Sequence, residues 1–233
     1  MKAIIFAAGE GTRLRPLTYT TPKPLLLIGQ KPILFHIINS LPEKIDEVII
    51  VVSYLADKII ETLNSNQFGR SIKFVHMNLD KERGTWSALW QVKKMIEKDN
   101  SKFLVLNGDD YYSKEELQKM ISVDSWAVGY CQKNNPGANY RNIVIDDNDN
   151  IIAMPLAESD QGIINVATGV YLLDSTVFSL TPVKTASGEF GLPQTISQLF
   201  GKKPVKAIKM NLWLQINTML DLEMVNEYLK KSK

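Results

Sequence analysis

The sequence is poor in the residue types that usually announce a site. It has one cysteine, Cys131, which excludes an intrachain disulfide and suits a reducing compartment. It has two histidines, His36 inside an apolar stretch and His76 at the end of another. They are too isolated for a zinc site and read as packing residues. Neither sign of charge dominates. The net charge of +2 argues against a broad nucleic-acid or anionic-membrane face, so any cation that matters acts locally. Long hydrophobic runs are missing too: no stretch approaches the roughly 20 apolar residues of a membrane helix. The run Ala3 to Ala8 is too short for a signal peptide and is followed at once by Glu10, Arg13 and Arg15. Repeats, low-complexity tracts and a clear linker are also lacking. The expectation is a soluble cytoplasmic chain forming one domain over residues 1–233.

What is present is a patterned core. Hydrophobic residues make up 45% of the chain, enough for a sizeable interior. Ala3–Ile4–Ile5–Phe6–Ala7–Ala8 is continuously apolar, the habit of a strand buried on both faces of a parallel sheet. Pro32 opens a helix from Ile33 to Leu41. Strands then alternate with helices: Val48–Val52, a helix over Tyr54–Leu63, Ile72–Val75, a helix over Thr85–Glu97, and Phe103–Leu106. This predicts an α/β fold, three-layered α/β/α, with a mixed and mainly parallel central sheet. After about residue 125 the strand-like stretches Trp126–Tyr130, Asn142–Ile145, Ile151–Met154 and Val166–Leu173 read as added antiparallel strands of the C-terminal half. The cluster Asp146 to Asn150 reads as a hairpin turn. A calcium loop would need Gly where Ile151 stands and Glu where Ala157 stands. Helices are expected at Leu192–Phe200 and Thr218–Lys231, and Trp86 and Trp90, four apart on one helix, read as packing.

Chemistry concentrates just after the first strand. Gly9–Glu10–Gly11–Thr12–Arg13–Leu14 brings glycines to a place where backbone N–H groups can approach a phosphate. It is not a P-loop, and Leu14 stands where a dinucleotide fingerprint needs its third Gly. Gly-x-Gly alone is a common strand-to-helix turn. Arg13, Arg15 and Lys23, on a loop stiffened by Pro16, Pro22 and Pro24, change its meaning. Fixed clustered cations suit a polyphosphate, because they stabilise charge developing on a leaving pyrophosphate.

Gly9 to Thr18 with Pro22 to Leu25 resembles the signature of the sugar nucleotidyltransferases, enzymes that make NDP-sugars from an NTP and a sugar 1-phosphate. Further pieces fall in the family's order: Gly84–Thr85 with Ser87–Ala88, Gly108–Asp109, Val166 to Tyr171, Gly188–Glu189–Phe190, and Trp213 to Asp221. The resemblance implies a Rossmann-like fold whose residues 1–125 bind nucleotide and whose residues 126–233 bind acceptor. It implies catalytic roles for Arg13 on the β- and γ-phosphates, Lys23 near the α-phosphate, and Asp109 on Mg²⁺. Nucleotide contacts would come from Ala8, Gly9, Gly11, Thr12 and Arg13, with Gly84 and Thr85 at the base. Acceptor contacts would come from Tyr140, Thr168, Gly169 and Glu189.

The departures lie in the second half. Gln215 stands where the family has a second metal-binding Asp, and Asn217 where it has Gly. The charged Glu-Lys-Pro that meets the sugar phosphate corresponds to Ala153–Met154–Pro155, which carries no charge. Three readings stay open: an unusual acceptor, such as phosphocholine; Mg²⁺ held by Asp109 and the nucleotide's own phosphates; or a relative that binds nucleotide without transferring it.

Overall fold

The computed structural model describes residues 1–80, 83–98, 101–136, 140–158 and 162–231. Its centre is a seven-stranded sheet of β1 Lys2–Ala7, β2 Glu47–Val52, β3 Ser71–His76, β4 Phe103–Asn107, β5 Trp126–Asn134, β6 Ile163–Leu173 and β7 Val205–Lys209. The spatial order is β7-β5-β6-β4-β1-β2-β3. β1 pairs in parallel with β2 and β4, β2 with β3, and β7 with β5. Within this sheet β6 alone runs against its neighbours, β4 and β5. The C-terminal half therefore adds one reversed strand to the sheet, while β5 and β7 keep the direction of β1. Among the described residues the other antiparallel ribbons are short: Leu27–Ile28 with Lys31–Pro32, Val144–Ile145 with Ile151–Ala153, and Asp110–Tyr112 with Trp213–Gln215.

Helices cover both faces, and the strand alternation decides which residues meet them. From β1, Ala3, Ile5 and Ala7 join one core with helices α1 Ile33–Ser40, α2 Ala56–Asn64 and α5 Lys114–Met120. Ile4 points the other way, into a second core with α3 Thr85–Gln91, α4 Lys93–Ile96 and α6 Leu192–Ile196. The C-terminal α7, Met219–Lys231, contributes Val225 to the first core. In α1, Ile33, Leu34, Ile37 and Ile38 are buried. β-Branched residues cost a helix a few tenths of a kcal/mol each, but burying each such side chain contributes about 1.5–3 kcal/mol. Burial decides the outcome.

The expected helix over Thr85–Glu97 is divided at Val92, and the one over Leu192–Phe200 ends as a 3-10 turn at Ser197–Leu199. β7, unexpected from the sequence, follows a turn at Gly201–Lys203 and Pro204. The Asp146–Asn150 cluster is a hairpin turn, closed by Asp146 accepting from Asn148 N and Asn150 N. Because β1, β4 and β5 run the same way, their carboxyl ends share one edge, where open α/β sheets hold ligands.

Candidate active site

At that edge lies a cavity of about 700 Å³. Its floor is the loop that leaves β1. Gly11 adopts a left-handed conformation, φ +64°, and an added Cβ would lie 3.0 Å from Lys23 Cβ and from Thr18 Cγ2. Thr18 is fully buried, and its hydroxyl donates to Gly11 O at 2.9 Å. The Tyr54 hydroxyl donates to Thr18 O at 2.9 Å. The loop is thus braced from behind, and Ala8, Gly9, Gly11, Thr12 and Arg13 face the cavity.

Two of the loop's three cations converge. Arg13 Nη2 donates to Asn217 Oδ1 at 2.9 Å, and Lys23 Nζ donates to the same oxygen at 3.3 Å. Lys23 also forms an ion pair with Asp109 Oδ2 at 2.5 Å. The Lys23 side chain is only 7% exposed. A buried ammonium costs several kcal/mol unless partners surround it, and Asp109 and Asn217 supply those partners. Arg15 does not join them. It pairs with Glu10 at 3.3 Å and lies over the Tyr19 ring.

Asp109 follows β4 directly. Gly108 permits this turn, since a Cβ there would sit 2.6 Å from Phe6 O. The neighbouring Asp110 belongs to a different environment. It is buried, and accepts from Trp213 Nε1 at 3.1 Å and from the Tyr112 hydroxyl at 3.3 Å. Burial and the Asp109 charge push its carboxyl up to about 7, against the opposing pull of Lys23 and the Trp213 hydrogen bond. Burial and the nearby carboxylates also raise Tyr112 well above the usual phenol.

Across the cavity from the glycine loop, the start of α3 presents Gly84 and Thr85. Gly84 has φ +102°, and a Cβ would stand 2.2 Å from Phe190 O. Trp86 N donates to Phe190 O, Phe190 N to Arg83 O, and Leu192 N to Thr85 Oγ1. These bonds clamp the Glu189 segment to the start of α3, so Glu189 also lines the cavity.

The remaining wall comes from β6 and the Asp110–Tyr112/Trp213–Gln215 ribbon. The register of β6 against β5 shifts between Ala167 and Tyr171, a bulge of the kind that re-aims side chains beside sites. Thr168 lies in it and lines the cavity, with its hydroxyl toward Met210 Sδ at 3.1 Å. Gly169 is outside the lining, packed so closely on Asn107 that no Cβ would fit. Tyr140 and Gln215 both line the wall, and the Tyr140 hydroxyl donates to Gln215 Oε1 at 2.7 Å. The amide that meets Lys23 is therefore Asn217, while Gln215 turns to Tyr140. Asp221 holds Asn217 in place: it accepts from Asn217 N and Thr218 N, both at 2.8 Å, and so caps α7. Asp109 and Asn217 are two oxygen donors turned on one positive charge, the pair able to take a cation. Sequence reasoning singled out Asp109 but missed the role of Asn217. The Thr218-x-x-Asp221 spacing marks the helix start that fixes it. Nothing local distinguished Asp110 from its neighbour.

This cavity, with a braced glycine loop, paired cations and a carboxylate at the strand ends, agrees with the comparisons to known proteins. A model of the Nucleotidyl transferase family matches residues 2–232.

The chain belongs to the nucleotidyl transferase family.

Among curated relatives, the bifunctional protein GlmU of Methanocaldococcus jannaschii is 33% identical over 98% of this chain and 54% of its own length. A mannose-1-phosphate guanyltransferase of Kluyveromyces lactis is 40% identical over 49% of this chain and 33% of its own. Among solved structures, a Bacillus anthracis protein described as a glucose-1-phosphate thymidylyltransferase, in complex with sucrose, superposes with a TM-score of 0.80. It is 25% identical, over 98% of this chain and 94% of that one. The chain spans about half the length of the GlmU relatives it matches. Among the described residues no helix is long and apolar enough to cross a membrane.

Proposed function

We propose that this member of the nucleotidyl transferase family joins the nucleotidyl group of an NTP to a sugar 1-phosphate, releasing pyrophosphate, in the cytoplasm. The observation that carries this reading is the meeting of Arg13 and Lys23 on Asn217 beside the glycine loop, with Asp109 paired to Lys23. A polyphosphate tail laid along the loop meets backbone N–H groups first and both cationic heads next.

The chemistry asks little of the protein in proton transfer. The second pKa of a phosphate monoester is about 6, so the acceptor oxygen is largely ionised near neutrality. That oxygen forms a bond to the α-phosphorus as the bond from the α-phosphorus to the bridging oxygen of the β-phosphate breaks. The electron pair leaves with pyrophosphate, and no proton needs to be moved. Catalysis is then positioning and charge stabilisation. Arg13 and Lys23 neutralise the leaving group, and the Gly84–Thr85 segment closes the base side.

Mg²⁺ fits the donors present. Asp109 and Asn217 offer one charged and one neutral oxygen where the ammonium of Lys23 now sits, and hard Mg²⁺ is typically held by one or two carboxylates plus substrate phosphates. Among the described residues no cluster of three or more acidic, His or Cys side chains could form an all-protein cage. Bound there, Mg²⁺ would supply further neutralisation of phosphate charge.

A matrix of NTPs against sugar 1-phosphates and phosphocholine, scored by pyrophosphate with and without Mg²⁺, tests the reading. Turnover only when NTP, metal and acceptor are all present is the expected result. NTP binding by calorimetry with no turnover across the matrix would replace it with a nucleotide-binding, regulatory role.

A further inference from the structure

The acceptor side lacks the charges that resemblance led one to expect near Met154–Pro155, yet an acceptor phosphate needs a cation. Arg141 is nearby but committed. Its Nη1 donates to Met154 O at 2.8 Å, and with the Gln194 amide in the orientation its neighbours require, Nη2 and Nε donate to the Gln194 oxygen at 3.1 and 3.2 Å. Lys133 is placed differently. It lies near the carboxyl end of β5, the sheet edge that holds the cavity. Its ammonium sits 4.6 Å from the centre of the Trp213 ring and 5.1 Å from that of Tyr140, both of which line the cavity. Both rings are themselves fixed, Trp213 by Asp110 and Tyr140 by Gln215. Among the described residues no carboxylate pairs with Lys133.

We infer that Lys133 is the acceptor-side cation of this site and takes the phosphate of the acceptor. The aromatic faces hold an ammonium by attraction to its charge without using up its three N–H donors. A phosphate monoester entering beside Tyr140 meets an oriented cation with no competing anion. The positive charge needed at the acceptor phosphate is supplied from β5 in place of the neutral Ala153–Met154–Pro155 stretch. This assignment rests on the nucleotidyl-transfer reading for its role in turnover, though not for its binding chemistry.

The test compares Lys133→Met, which keeps an unbranched stem between the rings, with Lys133→Arg, which keeps the charge. With the NTP and sugar 1-phosphate that give pyrophosphate, Lys133→Met should raise the KM for the sugar 1-phosphate at least about tenfold, the effect of losing a charge-assisted hydrogen bond. The KM for NTP and the melting temperature should hold, and Lys133→Arg should recover most of the loss. An unchanged acceptor KM, or one that rises in step with the NTP KM, overturns the assignment. If the wild-type protein turns over no pair, the transfer reading fails by itself. Lys133 is then judged by calorimetry with glucose 1-phosphate and phosphocholine in the presence of a non-hydrolysable NTP analogue. Binding by wild type that is lost in Lys133→Met supports it; no binding, or equal binding by the variant, overturns it.

Discussion

The two sides of the cavity are built on different principles. The side proposed for the phosphates is one short piece of chain, Gly9 to Lys23, folded on itself and braced by Thr18 and Tyr54. The side proposed for the acceptor is assembled from Tyr140, Thr168, Glu189 and the Trp213–Asn217 stretch, segments distant in sequence that meet through the bulge in β6 and the Asp110–Tyr112 ribbon. Local chain geometry fixes the first. Long-range packing fixes the second, and residue types can change there while the shape is kept, as Gln215 and Asn217 illustrate.

The sharpest way to break this comparison is at Lys23, the one phosphate-side cation whose partners come from both halves. Lys23→Ala should lower the rate of pyrophosphate release by about 10²–10³, the usual cost of removing a fixed stabiliser of developing charge. A rate like wild type would remove Lys23 from the machinery. Next in size is Gly84→Ala. Its Cβ would collide with Phe190 O at a positive φ, so stability measured by urea denaturation should fall by about 1–3 kcal/mol. Gly9→Ala is the control: nothing lies within 4 Å of a Cβ there, so the fold should tolerate it, whereas NTP affinity should drop because the cavity wall has grown.

The division between Asn217 and Gln215 is sharpened by a pair of variants. Asn217→Ala should raise the Mg²⁺ concentration for half-maximal rate by about tenfold, the loss of one charge-assisted contact. Gln215→Ala should leave that concentration alone and raise the acceptor KM, because it frees Tyr140. The reverse pattern would move the cation site to Gln215. The smallest effect is expected far from the cavity, at His36, which burial holds below its ordinary pKa despite its bond to Ile28 O. The folded state then binds fewer protons than the unfolded chain, so stability is retained above about pH 6.5 and declines as pH falls below it. In His36→Gln this decline should be shallower in urea titrations across that range.

The fold was legible in the sequence where apolar runs were long. Ala3 to Ala8 and Val48 to Val52 announced strands buried on both faces, and both are central. β7 was not legible, because Val205–Lys209 is a short edge strand in which Lys206 and Lys209 interrupt the apolar run and only Val205 and Ala207 are buried. In the site, the loop residues and Asp109 were legible because glycine, proline and charge are required at fixed local spacing. Lys133 and Asp110 were not: one acquires meaning from two aromatic rings, the other from the indole above it.

The sequence by itself determined a parallel α/β core and a rigid, cationic glycine loop after its first strand, since burial and backbone freedom are properties of neighbouring residues. Tertiary structure alone decided that Arg13 and Lys23 share the oxygen of Asn217, that Arg15 turns away to Glu10, and that Lys133 stands between Tyr140 and Trp213. These are contacts between charges on separate segments, and their strength depends on distance and burial, which no stretch of sequence encodes locally.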